Sequence, residues 1–266
     1  MFSNCRSSIL LYKRGLRSLS GLQILSLNIS NPYRYNITDS GIKHVGQSLK
    51  NFHSLLKISL NLSGYYPISD EGLLSVSEGL KESNQLQSIR FCCCHWQTIT
   101  DTGLGKFGES LKELRLLSSL DLYFGGCYGI TNKGLDLLSK SLNELESLQN
   151  LGLNFSDCRQ ITDLGLESLA ESLKGFMNLK EVTLVFGGCP QASIAGRKKV
   201  LETFKNDVGL QKVRLNFFGC TQRPPIPKEE LKRSKSEKRR KKMIIRGLLG
   251  LFVGMIAYFM LKTAWL

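Results

Sequence analysis

The chain of 266 residues is predicted to be an α/β protein: a short horseshoe of about seven 31-residue strand–helix repeats, with a C-terminal transmembrane helix. Three observations carry that expectation. Leu22, Leu55, Leu86, Leu117, Leu148, Leu179 and Leu210 recur at one constant interval after a slightly longer first one. A motif of the form Ile-Thr-Asp-x-Gly-Leu follows at the same period. Residues 221–266 join a basic run to an apolar terminus.

The elements follow in order. Residues 1–21 read as an N-terminal capping helix, because Ile9, Tyr12, Leu16 and Leu19 match Leu104, Phe107, Leu111 and Leu114 at a constant offset. A solenoid buries its apolar faces by stacking, and its ends need such caps. Residues 22–220 form the repeat domain. After each leucine anchor, apolar residues fall at the third, fifth and seventh positions, as in Leu120, Leu122 and Phe124. That alternation is a strand with one buried face. Helix starts follow at ITDSGI (Ile37), ISDEGL (Ile68), ITDTGL (Ile99), ITNKGL (Ile130) and ITDLGL (Ile161). A Thr or Ser oxygen there caps unpaired N–H groups, and the next carboxylate suits the helix dipole. Leucines at helical spacing then follow, for example Leu135, Leu138, Leu142 and Leu145. A sixth helix, around Ala192 to Phe204, keeps the register without the Asp. With about 4.8 Å between neighbouring strands, seven strands make a face roughly 30 Å along its curve.

These strands and helices resemble leucine-rich repeats of the ribonuclease-inhibitor-like type. ITDxGLxxL with a cysteine upstream is similar to the cysteine-containing repeats of F-box proteins. The resemblance covers residues 1 to 220 and implies a horseshoe that binds a protein partner. The period here is longer than that group's repeat.

The second, fourth and sixth positions are expected to line the concave face. Its partner-binding candidates are Lys57, Arg90, Asp121, Tyr123, Glu181, Lys212 and Arg214, since aromatic and arginine side chains typify binding hot spots. The rest of that face is small and polar, with Asn28, Asn61, Asn154 and Asn216 at the sixth position. Cys127, Cys158, Cys189 and Cys220 recur at the repeat interval and read as one small buried rung per repeat. Cys92, Cys93, Cys94 and His95 do not have zinc-motif spacing, because neighbours on a strand point to opposite faces. No metal and no cofactor is expected. The N-x-Ser/Thr sequences at Asn28, Asn61 and Asn154 follow from the repeat, and Asn36 lies in the enlarged first loop. His44, His53 and His95 occupy different repeat positions, and no nucleophile motif or phosphate loop is present, so the chain is read as a non-enzyme.

The formal net charge of +14 is uneven. Residues 221–266 hold 12 basic and 3 acidic side chains, a net of +9, which leaves +5 for the body. The basic linker, 221–242, opens on Pro224, Pro225 and Pro227 and ends with Lys238, Arg239, Arg240, Lys241 and Lys242. Residues 243–266 read as a transmembrane tail anchor. Its uncharged run, Gly247–Leu261, falls short of the roughly 20 residues that a spanning helix needs. Arg246 and Lys262 at its ends can snorkel, which lets the longer segment span. Basic residues beside a span stay cytoplasmic and sit on anionic headgroups. Gly250 and Gly254 make a GxxxG, which offers a homodimer face. Ser234 and Ser236 are candidate phosphorylation sites that would weaken the headgroup contact. The basic, acid-free N-terminus also has mitochondrial-presequence composition.

The expected function is therefore a protein-interaction scaffold held at a membrane by a single-pass tail anchor, with its solenoid on the cytoplasmic side. Endoplasmic reticulum and mitochondrial outer membrane are both compatible. Its partners would be a protein and the lipid membrane. The alternatives are a soluble substrate adaptor of a ubiquitin ligase and a basic-tail nucleic-acid binder, the latter disfavoured by the lack of aromatics among the basic residues.

Overall fold

The computed structural model describes residues 21–30, 37–64, 67–174, 176–205 and 210–217. The expected capping helix (apart from Gly21), the loop bearing Asn36, Cys220, the basic linker and the transmembrane tail, with Gly250 and Gly254, lie outside them. The chain divides into two units, Met1–Thr221 and Gln222–Leu266, and every described residue belongs to the first. Among the described residues no helix is long and apolar enough to cross a membrane.

Seven five-residue strands form one parallel sheet in sequence order: β1 (Ile24–Asn28), β2 (Lys57–Asn61), β3 (Ser88–Cys92), β4 (Ser119–Tyr123), β5 (Asn150–Asn154), β6 (Glu181–Val185) and β7 (Lys212–Asn216). Each connection carries one helix: α1 (Asp39–Leu49), α2 (Asp70–Lys81), α3 (Asp101–Leu111), α4 (Asn132–Leu142), α5 (Asp163–Leu173) and α6 (Ile194–Lys205). The register places equal repeat positions side by side, so Leu60, Phe91, Leu122, Leu153 and Leu184 form one row. The core lies between the sheet and the helices. Phe124, Phe155, Phe186 and Phe217 stack in a row, with centroids 5.6, 5.9 and 6.1 Å apart and planes within 20°. In the third repeat the seventh position is Cys93. Phe91 and Phe107 extend the aromatic column there, 6.1 and 5.9 Å from Phe124.

The three described cysteine rungs, Cys127, Cys158 and Cys189, are buried free thiols, as expected, and each has a partner. Cys127, Cys158 and Cys189 donate their S–H to the carbonyls of Cys93, Phe124 and Phe155. Burial raises the Cys158 pKa and takes that of Cys189 to about 11, so the proton stays on the donor. One repeat earlier the same position is Trp96, whose indole N–H donates to the Leu62 carbonyl at 3.0 Å. A residue with positive φ recurs just before each rung: His95 (69°), Gly126 (74°), Asp157 (59°) and Gly188 (73°). Gly126 has a second reason to lack a side chain, because a Cβ there would lie 2.5 Å from His95 Nδ1.

At the helix starts, Ser69, Thr100, Thr131 and Thr162 accept the N–H of the residue two positions on, as the motif predicts, whereas Thr38 at the first motif makes no side-chain capping bond. The following acid does more than face its own helix dipole. Asp39 accepts the N–H and hydroxyl of Ser69, Asp70 those of Thr100, Asp101 those of Thr131, and Asp163 those of Ser193. Each motif is thus tied to the next by charge-assisted bonds. Asn132 stands in one rung; it accepts from Thr162 N–H and donates to Thr162 Oγ1. The glycine of the motif makes room for this ladder. A Cβ at Gly134 would collide with Asp101 Oδ1, and one at Gly103 with Asp70 Oδ1.

Candidate partner-binding face

The helices cover one side of the sheet, and the second, fourth and sixth strand positions form the other. The fourth-position row runs Ser26, Ser59, Arg90, Asp121, Gly152, Thr183, Arg214 across the strands. Neighbouring opposite charges in these rows meet. Arg90 donates from Nη2 (3.0 Å) and Nε (3.2 Å) to Asp121 Oδ2. Lys212 lies 3.3 Å from Glu181 in the second-position row. Gly152 fits this arrangement, since a Cβ there would collide with Asp121 Oδ1.

The candidates therefore fall into two groups. Lys57, Arg90 and Asp121 lie on β2, β3 and β4, while Glu181, Lys212 and Arg214 lie on β6 and β7. Between them β5 contributes only Asn150, Gly152 and Asn154, so about 10 Å of uncharged sheet separates the groups. Lys57, Lys212 and Arg214 are exposed, and Arg90, Asp121 and Glu181 are half-buried. Both ion pairs are partly solvated, a setting in which such a pair contributes under about 1 kcal/mol.

Tyr123 differs from its expectation as a projecting aromatic anchor. It is 8% exposed, set in the sixth-position row between Cys92 and Asn154. Burial, and then the Asp121 charge, push its hydroxyl pKa upward, so it stays neutral. It forms part of the floor of the face.

The sixth-position asparagines have a structural task that spacing alone does not disclose. Asn28, Asn61 and Asn154 accept the N–H of Ser30, Ser63 and Ser156, closing a turn at the strand end. Cys92 and Cys94 occupy the same two places in β3, and their sulfurs are 3.6 Å apart. Cys93 is fully buried in the core, as its register requires. Among the described residues no group of three or more His, Cys, Asp or Glu is placed to hold a metal ion.

No protein-family model and no curated protein matches the chain. Solved structures do. A complex of Rad7 and Elc1 from yeast aligns with a TM-score of 0.50 and 16% identity, over 81% of this chain and 49% of that one. The tropomodulin C-terminal domain of Caenorhabditis elegans aligns at 0.43 and 15%, covering 75% of this chain and 92% of that one. The actin-binding site 2 of leiomodin-1 aligns at 0.41 and 18%, covering 57% and 80%. The fold is a leucine-rich-repeat-like solenoid, an alternating strand–helix repeat on one parallel sheet.

Proposed function

We infer that the chain is a non-enzymatic interaction scaffold that binds a protein through the open face of its sheet, held at a membrane by residues 243–266. The observation that carries the binding half is the face itself: two charged groups of low pairing energy flank an uncharged β5. The yeast neighbour, a complex of Rad7 with Elc1, is likewise a solenoid seen with a protein partner. Area adds a constraint. Six strand spacings by five residues give about 29 by 17 Å, roughly 500 Å². A stable interface buries about 800 Å² per partner. The partner therefore also engages the turns at the strand ends. Cross-linking from this face, compared with the helices, tests the assignment.

The anchor half rests on sequence: a net of +9 beside an apolar terminus. The full chain expressed in cells is expected to resist carbonate extraction, and a chain ending at residue 220 to be released. Release of both would refute the anchor and favour the soluble ligase-adaptor reading, or, if deleting Lys228–Lys242 abolished nucleic-acid binding, the nucleic-acid reading.

A further inference from the structure

On the open face, β3 departs from the repeat at a single turn. In β1, β2 and β5 the sixth-position amide folds back on the backbone N–H two residues further on, and in β1 the two side chains also meet, Ser30 Oγ lying 2.7 Å from Asn28 Oδ1. In β3 that turn holds Cys92 and Cys94 with Sγ to Sγ at 3.6 Å. The link to the preceding repeat is kept as well. Where Asn61 Nδ2 donates to Ser30 Oγ at 3.4 Å, Ser63 Oγ lies 2.8 Å from Cys92 Sγ. Ser63 Oγ also accepts the Cys94 N–H at 3.2 Å, and it can donate its own hydrogen to the Cys92 sulfur once that sulfur is ionised.

The two thiols are unequal. Cys92 is half-buried at the surface, whereas Cys94 is 8% exposed behind it. The Cys94 thiol, against the opposing effect of burial and with help from Ser63 and the Cys94 backbone, brings Cys92 down to about 7. The same contact, together with burial, pushes Cys94 up. An accessible thiolate beside a protonated thiol is the arrangement of oxidisable cysteine pairs. The third thiol of the run points into the core, where Cys93 Sγ lies 3.7 Å from the Tyr123 carbonyl.

We propose that Cys92 and Cys94 are a peroxide-oxidisable dithiol, Cys92 being the sulfur attacked first and Cys94 the one that closes the disulfide. The Cys92 thiolate attacks one oxygen of a hydroperoxide. An S–O bond forms, the O–O bond breaks, and the departing alkoxide or hydroxide takes a proton from water. Cys92 is then a sulfenic acid, oxidised by two electrons, and the peroxide is reduced. The Cys94 sulfur next attacks Cys92. The S–S bond forms, the S–O bond breaks, and the hydroxide leaves as water with the Cys94 proton. The sulfurs must close from 3.6 Å to about 2.05 Å, a side-chain movement of about 1.5 Å. The site shares its face with the binding surface assigned above, but its chemistry is read without any partner.

The test uses the full chain, reduced and purified in detergent, with hydrogen peroxide as the probe. After peroxide at pH 7 and alkylation, the tryptic peptide Phe91–Lys106 is expected to carry one alkyl group, on Cys93, and to have lost two hydrogens. Cys94→Ser is expected to stop at a Cys92 sulfenic acid that dimedone traps, and Cys92→Ser to leave Cys94 reduced. Native alkylation of Cys92 should have its pH midpoint near 7 and outpace every other described cysteine. That measurement is made on the unaltered chain and does not depend on how the variants fold. A midpoint near the ordinary thiol value of about 8.5, a bridge that includes Cys93, or oxidation spread over all the cysteines would overturn the proposal.

Discussion

Replacing Phe124 with Ala is expected to lower the stability of the repeat domain by about 4 kcal/mol. Phe124 is fully buried and is the ring at which the aromatic column changes character. On one side it meets Phe91 and Phe107 edge-on, and on the other it stacks on Phe155 at 5.6 Å with planes 9° apart. Removing the ring leaves a cavity between two close-packed groups that cannot collapse without shifting whole repeats. Stability in a solenoid is a sum over repeats and their nearest-neighbour interfaces. The loss therefore also uncouples β1–β3 from β5–β7. Urea denaturation followed by circular dichroism should show a lower midpoint and a shallower or split transition. Phe124→Leu, which keeps most of the volume, should cost about 1.5 kcal/mol or less. A cost below about 1 kcal/mol for Ala would mean that the column does not couple the repeats.

Gly46→Ala is the second large effect, and its sign opposes helix propensity. In an exposed helix interior the change stabilises by about 1 kcal/mol. Gly46 is buried on α1, and a Cβ there would collide with the Ser75 backbone carbonyl on α2. Gly79 answers it from α2, where a Cβ would run into the Gly46 carbonyl oxygen. Backbone cannot rotate away as a side chain can, so the two helices must separate. The expected cost is about 2 kcal/mol. Gly108 on α3 is the milder comparison, because its nearest neighbours, Ser141 Cβ and Oγ and Leu138 Cδ1, lie at 3.0 to 3.2 Å and need to give by only a few tenths of an ångström. Gly108→Ala should cost clearly less than Gly46→Ala by the same denaturation measurement. Equal effects at the two sites would contradict the backbone contact.

Much of this fold was legible because a solenoid writes its geometry into a period. The leucine anchors placed all seven strands, and the Thr-Asp motif placed the starts of α1 to α5. What the motif concealed was a long-range partnership. Asp101 and Thr131 belong to successive repeats, and their hydrogen bonds exist only after the repeats stack. The constant spacing of Asp, Thr and Gly was the available signal. Trp96 was also available, since it stands one repeat before Cys127 and takes over its hydrogen-bonding place. The face was harder to read. Position along a strand tells which side a residue is on, and Arg90, Asp121, Glu181 and Lys212 do lie on the open side. Exposure depends on the neighbours in the row, which is why Tyr123 lies flush between Cys92 and Asn154. The convergence of Cys92 and Cys94 depends on a turn that the alternation rule for strands does not describe.

The most direct test of the account is where a bound protein touches the solenoid. A photo-cross-linking amino acid placed at Lys57, Asn150 or Arg214 reports from the exposed strand positions, and one at Lys43 or Lys106 from the exposed helix side. The account predicts that the same protein partner is captured from the strand positions, that capture weakens when the charges of Lys57 and Arg214 are reversed, and that the helix positions do not capture it. Capture from Lys43 and Lys106, with none from the strand positions, would contradict it.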